Sequence, residues 1–81
     1  MLKYNKIVDT KIGDKMRIEI LLKKVRKQKH ITLVQLSDKT GISTTHINDI
    51  ENNLKEPSFS MMIRLAKGLD VELSKLYKVI W

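Results

Sequence analysis

The chain has 81 residues, 42% of them hydrophobic, and a net charge of +7. That length makes one small domain near the lower limit for a self-sufficient core, and the apolar content excludes wholesale disorder. No stretch approaches the roughly 18 consecutive apolar residues of a membrane span, the N-terminus lacks an apolar signal core, and the absence of cysteine excludes disulfides and thiol chemistry, which fits a reducing cytoplasm.

Residues 1–30 hold ten Lys or Arg against three acids, whereas residues 31–57 hold two against four and residues 58–81 four against two. The excess sits in the N-terminal third. Such a field suits a polyanion such as nucleic acid, and it serves equally well as solubilising lysine; charge alone does not choose. Residues 1–14 show no clear period and read as an N-terminal arm. From about Lys15 to Lys29 a helix is expected, because Ile18, Leu21, Leu22 and Val25 recur at i, i+3, i+4 and i+7.

Two short helices come next. Thr32 can cap the first, with Gln35 completing a capping box. Gly41 ends it, and Ser43 caps the second, Thr44 to Glu51. Ile31 with Leu36, and Ile42 with Ile47, supply a hydrophobic staple at each start. Helices joined by so short a turn cross steeply, which is a helix-turn-helix and offers the outer face of its second helix to a DNA major groove. Asn52 to Pro57 is a loop in which Asn53 suits a left-handed residue. Ser58 caps a fourth helix through about Leu69, broken at Asp70-Val71. Leu73, Leu76, Tyr77 and Ile80 then predict a final helix. No alternating run is long enough for a sheet. The expected fold is all-α, a compact five-helix domain over residues 15–81 behind the arm.

In the helix from Thr44, Ile47 and Ile50 point inward, while Thr44, Thr45, Asn48 and Asp49 point outward with His46 to one side. These are mediocre helix formers but apt readers of base edges. Asn bonds adenine bidentately, Asp accepts from cytosine, and Thr offers thymine a methyl contact. Asp49 and Glu56 are unwelcome beside phosphate. Backbone affinity is therefore assigned to the two helix starts (Thr32 and Leu33, Ser43 and His46), to Lys39 and Lys55, and to the basic arm. Arg26 and Glu51 are placed to form a bidentate ion pair or to stand as independent surface charges, and spacing alone leaves that open.

Leu22-x-x-Val25-Arg26, Ile31-Thr32-x-x-Gln35-Leu36-Ser37, Gly41-Ile42-Ser43, Ile47-x-x-Ile50-Glu51, Pro57-Ser58 and Leu65-Ala66-x-x-Leu69-x-Val71 together resemble the lambda-repressor-like, Cro and phage-repressor (XRE) family, from about Leu22 to Tyr77. The resemblance implies four or five helices, operator DNA and a dimer. It places the family's arginine–glutamate bridge on Arg26 and Glu51 and its base-reading positions on Thr44, Thr45, Asn48 and Asp49. The sequence departs from the family at Leu33, where glutamine often contacts phosphate, at Ser37 in place of alanine, and at Asn53 in place of a loop glycine.

The apolar tail, Leu76, Tyr77, Val79, Ile80 and Trp81, exceeds what one short helix buries within its own domain, and Leu76, Tyr77, Ile80 and Trp81 are the expected dimer interface, the alternative being that several fold back onto the first helix. The function expected is a cytoplasmic, sequence-specific regulator of transcription, a repressor acting as a homodimer on double-stranded operator DNA. No separate ligand-binding or protease domain is expected after Trp81, so control falls to concentration, dimerisation or a protein partner. The alternative is a protein-interaction module or antitoxin-like partner-binding protein of the same fold. An enzyme has almost no support. His30 and His46 lie in different segments without a nucleophile, a carboxylate pair or a phosphate loop, and neither a cofactor nor a metal is expected.

Overall fold

A computed structural model describes residues 16–81, so the arm lies outside the described residues. The order is strand β1 (Arg17–Ile20), helices α1 (Leu22–Gln28), α2 (Leu33–Thr40), α3 (Thr44–Glu51) and α4 (Phe59–Leu69), a 3₁₀ turn (Leu73–Leu76) and strand β2 (Tyr77–Ile80).

Both ends correct the sequence reading. The helix expected from Lys15 to Lys29 shrinks to α1, and the final helix becomes the 3₁₀ turn and β2. The described residues hold four α-helices and a two-stranded sheet rather than five helices. The cause is a pairing that local periodicity does not reveal. β1 and β2 run antiparallel, with Ile18 opposite Val79 and Ile20 opposite Tyr77 on one face, and Glu19 opposite Lys78 on the other. The Leu21 N–H extends the contact to the Leu76 carbonyl at 2.8 Å. Ile-Glu-Ile and Tyr-Lys-Val-Ile are β-branched and aromatic runs. Paired, they satisfy their backbone groups across the sheet, whereas a short terminal helix is marginal by itself.

The core is one cluster: Leu22 and Val25 of α1, Leu36 of α2, Ile42, Ile47 and Ile50 in and before α3, Met62, Leu65, Ala66 and Leu69 of α4, and Leu76. Phe59 and Ile63, also on α4, are exposed. Asp70 ends α4 with a left-handed φ of 58°. A Cβ at Gly68 would lie 2.7 Å from Thr40 Cγ2 and 3.2 Å from Leu36 Cδ1, so α4 reaches α2 only because that side chain is missing. In Gly68→Ala, overpacking of about 1–3 kcal/mol is expected to outweigh roughly 1 kcal/mol of helix propensity gained. The melting temperature should fall, and a rise would show that α2 and α4 part at no cost.

Candidate nucleic-acid interface

The turn between α2 and α3 is fixed by side chains from two directions. Gly41 takes φ 76°, and its N–H donates to the Ser37 carbonyl at 2.8 Å. The buried Thr40 hydroxyl donates to the Leu36 carbonyl at 2.8 Å and accepts from the Ile42 N–H at 3.2 Å, bridging helix and turn. From α4, Arg64 Nη2 donates to the Thr40 carbonyl at 2.6 Å. Arg64 was not singled out from sequence, because nothing local specifies which distant carbonyl a lone arginine will reach. With Lys39 and Lys67 it lines a shallow cationic cleft beside the turn.

Both helix starts are capped. Thr32 Oγ1 accepts from the Gln35 N–H at 3.0 Å, and Gln35 Oε1 accepts from the Thr32 N–H at 2.9 Å. Ser43 Oγ accepts from the His46 N–H at 3.1 Å. The other first-turn N–H groups lack intrahelical acceptors, leaving two partial positive ends. Leu33 is half-buried against the core, so it can offer an anion only its N–H. Thr32, Ser43, Lys39 and Lys55 are exposed.

α3 is anchored on one side and open on the other. Ile47 and Ile50 are fully buried, Thr45 and Asn48 are exposed, and Thr44, His46 and Asp49 are half-buried at the edges of the open face. Its far end is clamped. Arg26 Nε donates to Glu51 Oε2 at 2.6 Å, Nη2 donates to Oε1 at 3.0 Å, and Nη1 donates to the Ile31 carbonyl at 3.0 Å. The two side chains are 10% and 1% exposed. One guanidinium therefore joins α1, the α1–α2 connection and the end of α3 in a bidentate, water-shielded contact. The hydrogen bonds that Arg26 donates to Glu51, together with the charge of that carboxylate, hold the Arg26 pKa above its ordinary value against the opposing pull of burial. Asn53 takes φ 61° just beyond, and Leu54 N–H donates to the Asp49 carbonyl at 2.8 Å.

The four tail residues do not form one surface. Leu76 is fully buried in its own core, which removes it as a contact for another molecule. Tyr77 and Trp81 are exposed, while Ile80 is half-buried on the sheet face opposite Tyr77. His30 occupies a left-handed turn position. Among the described residues no three His, Cys, Asp or Glu side chains come together as a metal site.

The family model described as helix-turn-helix, HTH_3, matches residues 22–76. The chain belongs to the helix-turn-helix family. Relatives of this chain in the family include a phage immunity repressor and the HTH-type transcriptional regulator SinR of Bacillus subtilis. This helix-turn-helix chain is 39% identical over 57 residues to the uncharacterized HTH-type transcriptional regulator YqaE of Bacillus subtilis, covering 70% of the chain and 49% of YqaE. It is 33% identical over 55 residues to the immunity repressor protein of Bacillus phage phi105, covering 68% and 38% respectively. The chain thus spans half or less of the length of these curated relatives. Among solved structures, the restriction-modification controller protein C.Esp1396I superposes with a TM-score of 0.62 at 31% identity, over 64% of this chain and 68% of that one. No helix among the described residues is long and apolar enough to cross a membrane.

Proposed function

We propose that this protein is a sequence-specific transcriptional repressor that occupies operator DNA as a homodimer, with α3 seated in the major groove. The observation that carries the reading is the asymmetry of α3. Behind it, Ile47 and Ile50 are buried. In front, the Thr45 and Asn48 side chains are exposed and have no hydrogen-bond partner among the described residues. Short polar groups held unpartnered on a rigid, capped helix are suited to base edges. Thr44 and Asp49 flank them as further base contacts. Phosphate affinity comes from the two helix starts at Thr32–Leu33 and Ser43–His46, and from Lys39 and Lys55. The repressor assignment draws on the phage immunity repressor among the relatives, and an intracellular location follows from the target.

On the best duplex recovered from a random pool, Asn48→Ala and Thr45→Ala are each expected to cost about 1–3 kcal/mol, with binding to a scrambled duplex unchanged. Lys39→Ala should weaken both duplexes alike and reduce the salt slope by about 1. Equal losses on both duplexes from the α3 substitutions would contradict base reading. A partner-binding role draws on the exposed Leu54 and Phe59; weak, salt-insensitive DNA binding alongside a stable complex with another protein would favour it.

A further inference from the structure

We propose that Arg64 of α4 is a positioning residue for base reading: by holding the Thr40 carbonyl it fixes the turn from which α3 starts, and so the angle at which Thr45 and Asn48 meet the groove. This rests on the DNA reading above and adds to it a residue that itself touches no base. Arg64 is exposed, and its one hydrogen bond among the described residues is the charge-assisted contact of Nη2 with the Thr40 carbonyl at 2.6 Å. A Cβ at Gly41 would lie 3.1 Å from that same nitrogen, so the guanidinium stands directly against the turn. Its acceptor is at the negative end of α2, where the last carbonyls lack intrahelical donors.

The turn's other polar groups are closed from within α2. Gly41 N–H is taken by the Ser37 carbonyl, and Ile42 N–H by the Thr40 hydroxyl. Among the described residues, Arg64 alone ties the turn to another element by a hydrogen bond. Its own base is rigid. The next residue, Leu65, is fully buried, and one turn further along α4 closes on α2 at Gly68.

An arginine thus holds α3 at each end. Arg26 grips Glu51, its last residue, and Arg64 grips the turn before its first. The consequences differ. The Arg26–Glu51 pair is shielded from water, so its loss falls on folding. Arg64 is exposed, so its hydrogen bond adds little to stability and acts on geometry. Without it, the start of α3 can swing about the end that Glu51 anchors. At a rise of about 1.5 Å per residue, Thr45 stands roughly 9 Å from Glu51 and Asn48 roughly 4.5 Å. A tilt of about 10° then moves them roughly 1.6 Å and 0.8 Å, against a tolerance of about 0.5 Å for a recognition group. Thr45 loses its contact first.

The test is a pair of double-mutant cycles with the full chain, crossing Arg64→Met with Thr45→Ala and with Asn48→Ala on the selected and scrambled duplexes. Methionine keeps an unbranched stem and removes both donor and charge. Lys67→Met removes a charge from the same cleft and sets the electrostatic baseline. Arg64→Met is expected to bind the selected duplex about 10-fold more weakly than Lys67→Met does, while the two variants match on the scrambled duplex. In the Arg64→Met background Thr45→Ala should cost far less than in the wild type, and Asn48→Ala should lose less of its effect, a graded coupling that general support of the fold would not give. In the free protein, the Gly41 and Ile42 amides should exchange faster in Arg64→Met, while Asn52 N–H, bonded to the Asn48 carbonyl at the far end of α3, keeps its rate. The role is overturned if the Thr45 and Arg64 costs simply add, or if Arg64→Met and Lys67→Met bind alike on both duplexes. Wild-type protein that binds no duplex, with exchange at the turn still quickened by Arg64→Met, would instead overturn the DNA reading and leave the grip on the turn standing.

Discussion

Arg26→Ala is expected to remove about 3–5 kcal/mol of folding stability, the range for leaving one partner of a buried ion pair without the other. Its loss strands the Glu51 carboxylate, which is 1% exposed, and frees the Ile31 carbonyl. In a domain of this size each kcal/mol lowers Tm by roughly 4–8 °C. The diagnostic comparison is the double variant Arg26→Met, Glu51→Leu. Desolvation largely offsets the attraction between buried charges, so an apolar pair of similar volume should recover much of the loss. Thermal melts of the two single variants and the double check this; a double variant no better than Arg26→Ala would show the pair to be strongly favourable in its own right. The pH dependence follows from the direction of the arginine shift. A pKa raised on folding gives a contribution complete below the unfolded value and lost only as pH rises through the folded one. That point lies far above neutral pH, so on the arginine side the Arg26→Ala deficit should not shrink between roughly pH 7 and 9.

Ile47→Ala is expected to cost about 2–5 kcal/mol, and Ile47→Val about 0.5–1.5 kcal/mol, by the graded penalty for emptying a close-packed core. Ile47 is fully buried at the centre of an eight-residue helix that is too short to persist without its packing. Loosening it also lets the exposed side chains wander, so DNA affinity should drop on every sequence alike. Urea denaturation alongside titrations on selected and scrambled duplexes separates this from Asn48→Ala, whose loss is confined to the selected duplex. If Ile47→Ala keeps full affinity, α3 does not depend on its buried side for its position.

The legible parts of the fold were those encoded within a few residues. Thr32 with Gln35, Ser43 with His46, and Ser58 with Met61 are caps closed over three positions, and each is formed. Gly41, which lacks a Cβ, and Asn53 adopt the left-handed conformations that glycine and asparagine tolerate best. The ends were illegible because each strand's partner lies at the other end of the domain. Ile18, Leu21, Leu22 and Val25 fit a helical stripe by coincidence, although only Leu22 and Val25 are buried. Leu76 is core rather than interface for the same reason. The contact of Arg64 with the turn arises from how separate elements meet, which no window of sequence contains.

The central claim, that the outer face of α3 reads base edges in the major groove, is tested most directly by replacing purines one at a time with 7-deazapurine in a selected duplex. That change deletes a major-groove acceptor and leaves pairing and phosphates intact. Binding should weaken at two clusters about one helical turn apart, and Asn48→Ala should become indifferent to one substitution within each. Wild-type binding that ignores every such substitution would contradict the account.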